Sequence, residues 1–99
     1  MSETPARTVF KILSAEVRAV AETQVPPMPI DVADGYMHLS TADQLRETLA
    51  LHFKGQNNLS ILAIRTADVQ ADLKWETSRG GQLFPHVYGS IPMAAVDAE

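Results

Sequence analysis

Three short groups carry the side chains of this chain that are able to do chemistry: His38-Leu39-Ser40-Thr41, Trp75-Glu76, and Phe84 with His86 and Tyr88. A histidine at the end of a strand, beside hydroxyls and a helix N-terminus, is a plausible place for chemistry, which singles out His38, and His86 stands out in the last aromatic strand. Glu76 can serve beside them as a base or as an acceptor for ribose hydroxyls, with an ion pair to Arg79 on the surface as the plainer alternative. The period of two along a strand places Phe84, His86 and Tyr88 on one face. Such a face can stack a base or a nicotinamide-like ring while the imidazole and phenol tips bond a ribose; it can equally plug a core. Ser40 and Thr41 follow His38 at a strand-to-helix junction, where unpaired helix N–H groups favour phosphate. The histidines at 38, 52 and 86 have no metal-ligand spacing, so no metal is expected. There is no GxSxG, P-loop or GxGxxG motif.

The elements that must position these residues follow from pattern. Residues 1–6 read as a disordered tail, and residues 7–99 as one domain. Arg7 to Leu13 alternates and predicts a first strand, with Val9 and Lys11 on one face and Phe10 and Ile12 on the other. Ser14 caps a short helix from Ala15 to about Glu22. Gln24 to Pro29 holds three prolines and predicts a stiff extended connector, or else a wall of a ligand cleft. Asp34-Gly35 reads as a turn, and Tyr36 to Leu39 as a short strand. Thr41 with Gln44 matches a capping box and opens the main helix, Thr41 to Lys54, closed by Gly55. On that helix His52 falls on the apolar face in the last turn, a packing position.

Leu59 to Arg65 is apolar on both sides and predicts a central strand. Thr66 to Ala71 reads as a turn or one helical turn, and Leu73 to Glu76 as a short strand. After the flexible Ser78–Gly81 turn comes a strand from Leu83 to Tyr88. Pro85 within it argues for an edge, a bulge or an entry point. Pro92 to Val96 reads as one helical turn, and the sequence stops where another strand could begin.

Composition narrows the class. A chain of 99 residues with 45% hydrophobic and 20% charged residues makes one soluble globular domain. No cysteine excludes disulfides, thiolate metal sites and cysteine nucleophiles, and fits a reducing compartment. The net charge is −4 and the eight Lys and Arg are scattered, which argues against nucleic acid. No apolar run is long enough to cross a membrane, and no secretion signal opens the chain, so a cytoplasmic protein is expected.

Asp34-Gly35-Tyr36-Met37-His38-Leu39-Ser40-Thr41-Ala42-Asp43-Gln44, then Leu73-Lys74-Trp75-Glu76, then Phe84-Pro85-His86-Val87-Tyr88-Gly89 resemble the signature blocks of a small bacterial family, domain of unknown function 952. The resemblance covers most of the chain, from Val9 to Val96. That family is similar, more distantly, to the ADP-ribosyltransferase superfamily, which binds NAD in the cleft of a split β-sheet. The resemblance implies that His38 and Ser40 hold the nicotinamide ribose of NAD as substrate. It implies too that Tyr88, with Trp75, stacks on the ring and that His86 or Glu76 orients the acceptor. Leu39 stands where the superfamily has glycine, and no late catalytic glutamate motif is present.

The expected fold is therefore α+β: a small antiparallel or mixed, split β-sheet with one main and one short helix packed on it, ADP-ribosyltransferase-like. The expected catalytic residues are His38, Glu76 and His86. The expected binding residues are Ser40, Thr41, Trp75, Phe84 and Tyr88, for a nucleotide-type ligand of the NAD or ADP-ribose class. Two alternatives stand beside this reading. One is a non-catalytic module binding a small metabolite; the other is a protein-interaction domain presenting Phe84 and Tyr88 on an exposed strand edge marked by Pro85.

Overall fold

A computed structural model describes residues 7–99, apart from the side chain of Arg79; the expected tail over residues 1–6 and the Glu76–Arg79 pair lie outside the described residues. β-Branched and aromatic alternation forms β1 (Thr8–Leu13), and Ser14 caps α1 (Ala15–Ala19) by accepting from the Val17 N–H at 3.3 Å. Then come α2 (Pro29–Asp34), β2 (Met37–His38), α3 (Ala42–His52), β3 (Ser60–Arg65), α4 (Thr66–Val69), β4 (Leu73–Thr77), β5 (Leu83–Val87) and β6 (Val96–Ala98). A 3₁₀ turn over Met93–Ala95 leads into β6.

The strands make two antiparallel sheets of three, ordered β1-β3-β6 and β2-β5-β4. One bridge joins them edge to edge: the Phe10 N–H donates to the Ser40 carbonyl at 2.8 Å, and the Ser40 N–H returns to Phe10 at 2.9 Å. In β1, Val9, Lys11 and Leu13 share the buried face, opposite Ile64, Leu62 and Ser60. Val9, Leu13, Leu62 and Ile64 meet Met37, Leu39 and Val87 of the second sheet in one core, closed by Val25, Val69, Ile91 and Ala95. Burying such side chains contributes roughly 1.5–3 kcal/mol each.

Several expectations are corrected. The turn read at Asp34-Gly35 is the end of an unforeseen helix, α2. Pro29 occupies its first turn, where a missing N–H does no harm, and Gly35 closes it at φ 86°. α3 ends at His52 with Phe53 as its cap, two residues short of Lys54, and His52 is exposed rather than packed. Pro85 lies in the middle strand of its sheet and is fully buried. The Leu39 N–H donates to the Pro85 carbonyl at 3.1 Å, so its missing donor falls just where β2 has ended. The proline connector is tied down by the Val25 N–H to Ile91 carbonyl bond at 2.8 Å, and its end forms a wall, as described below. β3 is central as expected, with Leu62 and Ile64 fully buried and Ile61 and Ala63 half-buried. Among the described residues no helix is long and apolar enough to cross a membrane.

Candidate functional site

The register of β2 on β5 sets His38 directly opposite His86. On β4, Lys74 faces His86 and Glu76 faces Phe84. Alternation therefore gathers Lys74, Glu76, Phe84, His86 and His38 on one face of the sheet, with Tyr36 and Tyr88 at its end. The rings close into a cluster. Tyr36 lies 4.5 Å from His38, 4.3 Å from His86 and 4.9 Å from Tyr88 between centroids, and the two imidazoles meet edge-on at 5.3 Å. The Lys74 ammonium sits 4.7 Å above the Tyr88 ring, a cation–π contact.

Each histidine is held by carboxylates from a different element. On the β2 side the anchor is Asp31, third residue of α2. From there its carboxylate accepts from the Met28 N–H at 2.7 Å, as an acidic residue at that helix position does. Gly35 turns the chain back at once, so Asp31 also accepts from the His38 N–H at 2.9 Å and faces His38 Nδ1 at 2.7 Å. Lys11 completes the group, donating to Asp31 at 2.6 Å and to the His38 carbonyl at 3.0 Å. The Lys11 and Asp31 side chains are 2% and 1% exposed, so this is a buried ion pair. Burial pushes the Asp31 carboxyl up, but the hydrogen bonds from His38 and the Lys11 charge outweigh it and bring it down to about 2. Burial lowers the Lys11 ammonium against the opposing pull of Asp31. The second imidazole nitrogen, His38 Nε2, lies 3.0 Å from Asp34. Both ring contacts are hydrogen bonds only when each nitrogen carries a hydrogen.

On the β4 side, one oxygen of Glu76 receives two partners: His86 Nδ1 at 2.7 Å and the Tyr88 hydroxyl at 2.7 Å. These bonds, His86 first, hold the Glu76 carboxyl below its usual range. The same Glu76 bond, aided by desolvation, pushes the Tyr88 phenol up to about 12. Burial, with Asp34 and Glu76 nearby, raises the Tyr36 phenol. His86 is only 4% exposed, and its Nε2 has no partner among the described residues.

Beside this cluster, where the two sheets join, lies a cavity of about 600 Å³. Phe10 and Ile12 of β1, Phe84 of β5 and Phe53 beyond α3 give it apolar walls, and Met28, Pro29 and Ile30 close one side. Its polar lining includes Lys11, His38, Ser40 and His86, with Thr48 and His52 on α3. All three histidines of the chain line it, and among the described residues no carboxylate does. The volume is in the range of small-molecule sites, which pair apolar walls with a few convergent polar groups. Among the described residues there is no group of three His, Asp or Glu able to hold a metal.

The fold thus brings together His38, His86, Glu76, Ser40 and Phe84. Tyr88 joins through Glu76 and Tyr36, yet it lies outside the cavity lining, in a groove on the far side of Tyr36. Trp75 does not join: it alternates with Glu76 onto the opposite face and packs half-buried against the core. Thr41 serves α3 instead, in the capping box with Gln44, whose side chain accepts from the Thr41 N–H at 3.0 Å. Ser40 is buried, 3.3 Å from the Thr48 hydroxyl. Leu39 is 3% exposed and belongs to the core. β5 is central and Phe84 is buried, so Phe84 and Tyr88 do not share an exposed strand edge; of the two, only Tyr88 is exposed. Five residues of the network were not foreseen: Lys11, Asp31, Asp34, Tyr36 and Lys74. Pro29 followed two residues later by Asp31 is a helix-start signal that leads to the second of them.

The family model described as protein of unknown function (DUF952) matches residues 12–99. An X-ray crystal structure of protein CC0527 from Caulobacter crescentus is similar, with 40% identity and a TM-score of 0.87, over 92% of this chain and 82% of that one. A solution NMR structure of CC0527 gives 38% identity and a TM-score of 0.73, over 93% and 81%. No curated protein matches the chain.

Proposed function

Starting from the chain's membership of the DUF952 family, whose description names no activity, we propose that the cavity between the sheets binds a nucleotide-type ligand of the NAD or ADP-ribose class. The observation that carries this reading is the cavity's lining, in which aromatic and aliphatic side chains are joined by a few polar groups, His38, Ser40 and His86 among them. A flat ring can lie between Phe10 and Phe84, while ribose hydroxyls meet His38 and Ser40. The carboxylate anchors of His38 and His86 support it further, because pre-oriented side chains lose less entropy on binding. The implied ring-stacking role of Tyr88 passes in this reading to Phe84 and Phe10, which line the cavity.

A second reading, a module that binds a small metabolite without converting it, is favoured by one observation. No carboxylate among the described residues lines the cavity, and Glu76 is already engaged by His86 and Tyr88. Titration calorimetry with NAD, ADP-ribose and nicotinamide, on the wild type and on Phe84→Ala, tests the ligand class. Saturable binding that weakens in the variant supports it. Absence of heat with all three ligands at millimolar concentration contradicts it. Analysis of the bound ligand after incubation separates conversion from simple binding.

A further inference from the structure

The geometry points to His86 as the acid–base group of the cavity, with Glu76 as its positioning residue. Glu76 accepts from Nδ1, which fixes the imidazole tautomer and leaves the Nε2 lone pair without a partner among the described residues. His86 lines the cavity; of the other two histidines there, His38 has both ring nitrogens against carboxylates, and His52 lies exposed in the last turn of α3. The Tyr88 hydroxyl, bonded to the same Glu76 oxygen, keeps that carboxylate from turning away. The groups facing His86 are Glu76 and Lys74 on β4, Tyr88 beyond its own strand, and His38 and Tyr36 across the sheet.

In the reaction this permits, Nε2 takes the proton of a hydroxyl or water in the cavity. The O–H electron pair forms the new bond to the ribosyl carbon as that carbon's bond to a cationic ring nitrogen breaks. The ring leaves neutral with the bonding pair, and the proton stays on His86 until solvent accepts it. Both ring nitrogens then donate, Nδ1 still to Glu76, which stabilises the imidazolium. The step rests on the cavity being a nucleotide-type site, but the dyad itself can be tested without any ligand.

The test is nitrogen-15 NMR of the imidazoles with diethyl pyrocarbonate labelling, on the full chain and on Glu76→Gln. In its neutral form His86 is expected in the Nδ1–H tautomer, with the signature of an unprotonated Nε2. Diethyl pyrocarbonate is expected to modify Nε2 despite its low exposure. In Glu76→Gln the tautomer mixes and labelling of His86 at Nε2 slows, by about twofold for an even mixture, while exposed His52 reacts alike in both proteins. An Nε2–H tautomer in the wild type overturns the assignment whether or not the variant folds. So does an unlabelled His86, which would place Nε2 out of reach of the cavity. Failure of the three nucleotide-type ligands to bind, with the tautomer as stated, removes the ligand class and leaves the dyad.

Discussion

Asp31→Asn is the most informative single substitution. It keeps the shape of the side chain and removes the charge that Lys11 is buried against. The Asp31 carboxylate faces four donors: the Lys11 ammonium, the Met28 and His38 N–H groups and His38 Nδ1. An asparagine has one accepting oxygen, so its amide nitrogen must confront a donor, either Lys11 or His38. With both partners no more than 2% exposed, solvent cannot take over. Breaking a buried pair from one side costs about 3–5 kcal/mol, most of it the uncompensated remaining charge. In a domain of this length that lowers Tm by roughly 12–40 °C. Urea unfolding followed by the fluorescence of the single, half-buried Trp75 measures it. Lys11→Met and the double variant complete a cycle, and a coupling of about 2 kcal/mol or more is expected. A loss below about 1 kcal/mol in Asp31→Asn, or additivity in the cycle, refutes the buried-pair argument.

Other expectations follow from the same geometry. The folded Asp31 carboxyl, at about 2, lies below the ordinary aspartate value of 3.8, so its stabilisation is full above about pH 4 and is lost as pH falls toward 2. Thermal melts across that window show an acid slope that Asp31→Asn flattens. The Tyr88 phenol, held at about 12 by Glu76, stays un-ionised beyond the usual tyrosine range, and ultraviolet titration of Glu76→Gln shows it returning toward 10.0. His38→Ala removes two carboxylate contacts of a partly exposed ring, lowers stability by about 1–2 kcal/mol and abolishes ligand binding with the fold intact. Loss of folding in that variant would make His38 structural. Gly89→Ala drives a methyl into the Asp72 side chain, whose backbone carbonyl holds the Tyr88 N–H at 2.8 Å, so it lowers Tm and perturbs the Tyr88–Glu76 bond seen by NMR.

The strands and the capping box were legible because each rests on a local pattern: alternation in Val9 to Leu13, the Thr41–Gln44 reciprocity, and the apolar run of β3. The histidine pair was half legible. Period two put His86 beside Phe84 and Tyr88, but only the pairing of β2 with β5 sets His38 opposite His86. Trp75 adjoins Glu76 in sequence, and for that very reason the strand sends it to the other face. Pro85 misled because a missing donor is harmless in a central strand when its neighbour has already ended. Asp31 and Lys11 were hidden for another reason. They lie 20 residues apart, and nothing local marks a charged residue as buried until its partner is in place. His52 was assigned to a packed face from periodicity, but α3 meets a cavity there instead of a neighbour.

The central claim is that the cavity lined by the neighbouring His38 and His86 takes a nucleotide-type ligand. The most direct measurement is an NMR titration of the histidine and aromatic ring signals with NAD, ADP-ribose and nicotinamide in turn. The account predicts saturable shifts at His38, His86, Phe10 and Phe84, with Trp75 on the opposite face unmoved. Unshifted rings at millimolar concentrations of all three ligands, or shifts at Trp75 without the histidines, would contradict it.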